Sequence, residues 1–315
     1  MLRQTGRIDG DLFIDCSGLH GLLIDKHYRV DWLSQQDVLF NNCALAVQMP
    51  YQDDQQPIPS CTRSTAVEHG WIWDIALQNR RGTGIVYSDQ YVDDDVAQES
   101  LKHYLSGTNT AEQIAQASFR KIQFSPGYRQ TFWQNNCVAV GMSAGFIEPL
   151  EASAIVMVEL SAQYICEQMP LSKPSMRAAA SRFNDLFGYR WQQIINFLKL
   201  HYVLSERNGP YWQAHKAPAS MPMSLIELLD LWSVNPPKHT DLWHNDEIFS
   251  AASYQYVMLV IQQQQWLTRG EQFMHMSSSE FQAHSTQRQQ LDAQITQLLE
   301  HLPNNNELLA SYHQR

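Results

Sequence analysis

The chain has 315 residues, enough to bury a sizeable core, and length alone allows two domains or one large one. A formal net charge of -10 argues against general affinity for nucleic-acid phosphate, and five scattered cysteines without a CxxC pair suggest neither a disulfide framework nor a zinc knuckle. No apolar run reaches the ~20 residues of a membrane span and the opening "MLRQTGRIDG" lacks a secretory apolar region, so the expectation is a soluble, cytoplasmic protein with no membrane or nucleic-acid partner.

In chain order, "DLFIDCSG" at 11–18 reads as a buried strand running into a glycine turn. Strand patterns rich in aromatic and β-branched residues follow at "GWIWDIAL" (70–77) and "TGIVYS" (83–88), with "QNRRG" fitting the hairpin between them. The acidic start of "DDDVAQESLKHYL" (93–105) suits the positive end of a helix dipole. "CVAVG" (137–141) reads as a short buried strand, and "SAIVMVELSAQYICEQM" (153–169) as a helix apolar over much of its surface.

After Pro170 the pattern turns helical. Phe183, Leu186, Phe187, Trp191, Ile194, Ile195, Leu198 and Tyr202 recur at spacings of three and four on one face of a long helix. A further helix is signalled near the end by the capping-box spacing of Ser277 and Glu280 and the stripe Leu291, Ile295, Leu298 and Leu302. The only low-complexity spot, "QQQQ" at 262–265, is too short to support an inference. The expected fold class is α/β, α+β mixed, with one part over 1–169 and a mostly helical part over 170–315.

The stretch "GMSAGFIEPLEASAIV" (141–156) places Glu148 and Glu151 between a small-residue loop and a helix start. Unpaired backbone N–H groups there can hold an anion or the polar edge of a cofactor, and small residues admit a planar ligand. Two carboxylates stabilising the helix start are the simpler reading. Trp71 and Trp73 share one face of a strand, as core aromatics or as part of a site. The twelve histidines include no HExxH or other convincing ligand spacing, so no metal site is expected. His201 and Tyr202 read as the end of a helix face, and Cys16 as a buried thiol rather than a nucleophile.

Taken in order, four segments resemble the flavin-dependent tryptophan halogenase family: "DLFIDCSGLHGLLI", "GWIWDIAL" against the W-x-W-x-I-P signature, "GFIEPLEASAI", and "FNDLFGYRWQQIINFLKLHY". The resemblance implies reduced FAD from a separate flavin reductase, oxygen and a halide ion, which yield a hypohalous acid that halogenates an electron-rich aromatic small molecule such as an indole. It implies Glu151 as the catalytic carboxylate, Trp71 and Trp73 as the barrier between flavin and substrate, and Ser17 and Gly18 at the cofactor, beside the loop that begins at Gly141, which is expected there as a further cofactor-binding residue. The backbone of Ser153 and Ala154 would hold the halide, with Glu148 supporting the loop.

Departures from the family pattern shape these expectations. Ala76 stands where the signature proline is expected, and Ala152 and Ser153 replace the more frequent serine and threonine, which argues against free tryptophan as substrate. No GxGxxG fingerprint occurs, and no lysine matches the family's catalytic one. The expectation is therefore an incomplete FAD-binding, flavin-monooxygenase-like domain, weak or inactive alone, whose N-terminal portion is supplied by a separate polypeptide or lost through a start-site or gene error. A homo-oligomer stays open, as do an oxygen-inserting flavin monooxygenase and a non-catalytic remnant or interaction module.

Overall fold

The computed structural model describes residues 6, 9–53, 56–244, 247–261 and 278–313. The glutamine run at 262–265 and Ser277 of the expected capping box lie outside the described residues. The strands are β1 (Phe13–Asp15), β2 (Trp32–Ser34), β3 (Cys43–Met49), β4 (Arg63–Val67), β5 (Gly70–Ala76), β6 (Arg81–Tyr87), β7 (Arg120–Gln123), β8 (Gly127–Arg129), β9 (Trp133–Gln134), β10 (Cys137–Ala139) and β11 (Gly145–Phe146). The helices are α1 (Asp94–Ser106), α2 (Ala111–Gln116), α3 (Ser153–Glu167), α4 (Lys173–Leu204), α5 (Pro210–Lys216), α6 (Met223–Trp232), α7 (Ala251–Ile261), α8 (Ser278–His301) and α9 (Asn305–His313). The architecture is mixed α and β with a helical C-terminal part.

The largest sheet is antiparallel with order β4-β5-β6-β3-β7. Its two faces differ because side chains alternate along each strand. On one face Cys43, Leu45, Val47, Ile72, Ile85 and Tyr87 pack against Ala97, Leu101 and Leu105 of α1. Asp93 caps that helix by accepting from the Val96 N–H at 2.9 Å, and Asp94 and Asp95 occupy its first turn.

The other face is built to take two indoles. Cross-strand register sets Trp71 opposite Ala66 and Val86, and Trp73 opposite Ser64 and Gly84, with Ala44 and Ala46 on the next strand. Small neighbours leave the space the rings fill. At Gly84 a Cβ would stand 2.2 Å from Cζ2 of Trp73, so the ring lies directly over a bare backbone.

Helix α4 runs 32 residues, about 48 Å at the usual rise, opened by a Ser172–Ser175 capping box. Its stripe of Phe183, Phe187, Trp191, Ile194, Ile195, Leu198 and Tyr202 is buried, and these residues share one apolar cluster with Trp71, Trp133, Val138 and Met157. Helix α3 is less enclosed than its apolar sequence suggests. Ser153, Met157, Ser161 and Ile165, at spacings of four, turn inward, while Ile155, Val156 and Val158 stay exposed. The stripe of Leu291, Ile295 and Leu298 does fall on helix α8, with Leu302 just past its end, but all four side chains are exposed.

Candidate active site

Strands β1 and β10 are parallel, pairing Phe13 with Cys137, Ile14 with Val138 and Asp15 with Ala139. Both chains therefore leave the sheet at the same end, where parallel sheets bind ligands. Each then turns on a glycine in the left-handed region, Gly18 at φ 70° and Gly141 at φ 71°. The two turns touch: a Cβ at Gly18 would lie 4.0 Å from Met142, and one at Gly141 would lie 3.4 Å from Val158 of α3. This is an open cradle of bare backbone at the carboxyl ends of two strands, a surface that fits the edge of a planar cofactor such as a flavin.

Asp15 holds the first turn. Its Oδ1 accepts from the Ser17 N–H at 3.0 Å and the Ser17 hydroxyl at 2.5 Å, and its Oδ2 accepts from the N–H groups of Leu23 and Ile24, each at 2.8 Å. Ser17 Oγ in turn accepts from the Leu22 N–H at 2.7 Å. Burial works against the charge of Asp15, but the Ser17 hydroxyl and the three N–H donors outweigh it and hold the carboxyl below its ordinary value. Strand alternation that turns Asp15 inward turns Cys16 outward, so this thiol is exposed rather than buried.

The carboxylates of the loop before α3 do not cap that helix. Its N-cap is Ala152, which offers no side-chain cap, and among the described residues no side chain accepts from its first turn. Glu151 and Ala152 are two successive non-glycine residues in the left-handed region, at φ 64° and 49°. Such backbone costs about 1–2 kcal/mol per residue and persists only where surrounding contacts enforce it. The kink turns Glu151 from the helix start toward α4, where its Oε1 lies 3.1 Å from Nε2 of His201. Ser153, buried, and Ala154, exposed, follow as the first residues of α3.

Glu148 points the other way, into the protein. Its carboxylate accepts from the Tyr202 hydroxyl at 2.5 Å, from the Trp71 indole N–H at 3.2 Å and from the Asn41 amide. Asn41 also donates to the Tyr202 oxygen and accepts from the Tyr211 hydroxyl, both at 3.0 Å. Every donor in this network meets an acceptor. Burial raises the Glu148 pKa, against the pull of Asn41, Tyr202, Trp71 and the charge of His201. Through Glu148 the loop is tied to β5 and to the end of α4. Trp73 stands beside Trp71, ring centroids 6.3 Å apart and tilted 63°.

Behind Tyr202 lies a second buried group. Lys199 Nζ donates to the Val38 carbonyl at 2.9 Å, and to His215 Nδ1 and Ser220 Oγ at 3.0 Å each. Burial pulls its pKa down to about 7, opposed by the charge of Glu148. His215 is sandwiched between Phe40 and Tyr202, each at 4.1 Å, and burial, then the Lys199 charge, lowers its pKa to about 2. Accepting at Nδ1 leaves its proton on Nε2, which meets no hydrogen-bond partner among the described residues. Lys199 is thus fully buried with its amine occupied by these three acceptors.

The tryptophan halogenase family pattern matches residues 1–275. This chain belongs to the flavin-dependent tryptophan halogenase family. It is 33% identical over 260 residues to tryptophan 6-halogenase SttH of Streptomyces toxytricini, covering 82% of this chain and 48% of that protein. It is 31% identical over 243 residues to tryptophan 7-halogenase RebH of Lentzea aerocolonigenes, covering 75% and 44%. The solved tryptophan halogenase of Shewanella frigidimarina superposes with a TM-score of 0.90 at 42% identity, over 99% of this chain and 58% of that one. The chain thus spans about half the length of the curated halogenases it matches.

The sequence pointed to Ser17, Gly18, Gly141, Trp71, Trp73, Glu151, Ser153 and Ala154. The structure brings Gly18 and Gly141 together as one cradle and sets Gly141 against α3. Trp71 meets the same loop through Glu148 rather than through Glu151. Asp15, Asn41, Lys199, Tyr211, His215 and the role of His201 were not singled out from sequence. For Asp15 a local signal existed, an aspartate two residues before the serine and three before the turn glycine. Asn41 and Tyr211 are 170 residues apart and had none.

Proposed function

We propose that this chain forms the substrate and halide side of a flavin-dependent halogenase acting on an indole-like or other electron-rich aromatic. The observation that carries the reading is the left-handed pair Glu151–Ala152. A glutamate serving only the helix start would face the first N–H groups of α3. Here strained backbone instead turns the carboxylate away and leaves those groups without a side-chain cap.

Ser17, Gly18 and Gly141 would hold the edge of FAD, which when bound and reduced supplies, with oxygen, the oxidising power that turns halide into a hypohalous acid. The N–H groups of Ser153 and Ala154 bind the halide at the positive end of α3. Trp71 and Trp73 exclude the organic substrate from the flavin side, so that halogen rather than oxygen is transferred. The Glu151 carboxylate faces the substrate, orients the oxidant and accepts the proton leaving the ring carbon after halogen addition. The helices from residue 170 onward cap the substrate, and a separate reductase delivers reduced flavin. Ala76, Ala152 and Ser153 support a substrate other than free tryptophan.

The test is an FAD titration, followed by turnover with reduced FAD, oxygen, bromide or chloride and a panel of indoles, with and without the family's N-terminal segment added. Products carrying the bromine or chlorine isotope pattern support the reading. Oxygen addition in place of halogen would establish a monooxygenase, and failure to bind FAD under either condition would establish a non-catalytic module.

A further inference from the structure

We propose that His201 is the positioning residue for Glu151, holding one oxygen of that carboxylate through Nε2 and leaving the other to the substrate. The proposal rests on the reading of Glu151 given above. His201 lies in the last turn of α4. Its Nδ1 is 2.9 Å from the Phe197 carbonyl one turn earlier, and its Nε2 is 3.1 Å from Glu151 Oε1.

Both partners are oxygen acceptors, and together they hold the ring at its two nitrogens. A carbonyl oxygen has no hydrogen to give, so Nδ1 carries an N–H that donates to Phe197. Nε2, the ring's other nitrogen, is the one turned to the carboxylate. The ring also packs against an aromatic neighbour. It stands edge-on to Phe197, centroids 5.1 Å apart at 89°, and Phe197 is itself stacked on Phe249 at 4.0 Å.

Glu151 needs such a partner. Its side chain is 38% exposed and leaves a left-handed backbone, so its own surroundings define its direction only weakly. The histidine side chain is 19% exposed and anchored at the other nitrogen, which makes it the fixed end of the pair. His201 acts through Glu151, with the carboxylate alone meeting substrate.

Two measurements on the chain test this. In ¹⁵N-histidine NMR, with the His201 resonances assigned by their loss in His201→Gln, the Glu151→Gln change should shift the Nε2 resonance and leave the Nδ1–H bond to Phe197 in place. An unmoved Nε2 resonance overturns the contact and the proposal with it. In the bromide and indole assay above, His201→Phe should lower kcat about 10–100-fold with KM changed less than about twofold, because a misplaced catalytic group costs turnover rather than binding. His201→Gln, whose amide nitrogen reaches the place of Nε2, should recover most of that loss. His201→Phe at the unaltered rate, or His201→Gln as slow as His201→Phe, overturns the positioning role. An Nε2 shift in a protein that halogenates nothing even with the family's N-terminal segment added overturns the halogenase reading while leaving the contact intact, so the two failures are distinct.

Discussion

The indole N–H of Trp71 donates to Glu148 at 3.2 Å, so the strand carrying the tryptophan pair and the loop carrying Glu151 are joined by one buried carboxylate. Removing that carboxylate would leave the Asn41 amide, the Trp71 indole and the Tyr202 hydroxyl facing a cavity. Glu148→Ala is therefore expected to destabilise the fold by about 3–5 kcal/mol, since each orphaned donor carries a desolvation penalty. Urea unfolding monitored by tryptophan fluorescence reads the loss, and an unchanged midpoint would show that the network contributes nothing to stability.

Lys199 makes a pH prediction with a definite sign. Its pKa is about 7 in the fold and near 10.5 in the unfolded chain. Between those values the unfolded chain binds more protons than the folded one, so stability rises with pH. The limiting slope is about 1.4 kcal/mol per pH unit. Lys199→Met should remove that rise, and the difference in unfolding free energy between the two proteins, measured at pH 7, 8 and 9, should grow in favour of the lysine form. His215 adds a slope of the same sign lower down: its folded pKa of about 2 against an ordinary 6.5 means stability falls as pH drops below 6.5.

These two groups also show where sequence reading stopped. The strand at 70–76, the strand, loop and helix at 137–167 and the buried face of α4 were legible because their periodicity is local. Strand β3 was harder to read because Ala44 and Leu45, facing opposite sides of the sheet, are both buried, which erases the alternation. Lys199, His215 and Asn41 gave no signal because their chemistry exists only through partners elsewhere in the chain, such as Val38 for Lys199 and Tyr211 for Asn41. His201 reads as the end of a helix face, and it does sit in the last turn of α4. Its Nδ1 bond to Phe197 is local, but its Nε2 partner lies 50 residues away. Helix α3 forms where the pattern places it, and the apolar residues Ile155, Val156 and Val158 lie on its exposed surface.

A structural ion pair on the same sheet gives a control away from the candidate chemistry. Arg81 and Asp74, both buried, face each other across the β5–β6 hairpin, with Nε donating to Oδ1 at 3.0 Å and a second N–H donating to Oδ2. Tyr104 of α1 donates to the same carboxylate at 3.0 Å. Asp74→Ala strands a buried guanidinium and should cost about 3–5 kcal/mol. Flavin affinity of the folded fraction should be unaltered, because none of these groups approaches the Gly18 and Gly141 turns. An FAD titration beside the urea curve separates the two effects.

Gly84 tests whether the tryptophan pair depends on the bare backbone beneath it. A Cβ there would lie 2.2 Å from Trp73 and 2.5 Å from the Leu45 carbonyl oxygen, which belongs to the neighbouring strand and cannot yield without disturbing the sheet. The ring must therefore move, and the backbone at residue 84 must also shift off the Leu45 carbonyl. Gly84→Ala should cost about 1–3 kcal/mol by overpacking and shift the tryptophan emission as Trp73 leaves its seat. The shift should vanish when Gly84→Ala is combined with Trp73→Phe, which removes the larger ring and isolates its contribution. If the pair separates flavin from substrate, as proposed, Gly84→Ala should also divert turnover from halogenated toward oxygenated product. Mass spectrometry of the product mixture measures that ratio directly, and an unchanged ratio with a displaced Trp73 would remove the barrier role from this residue and leave it to Trp71.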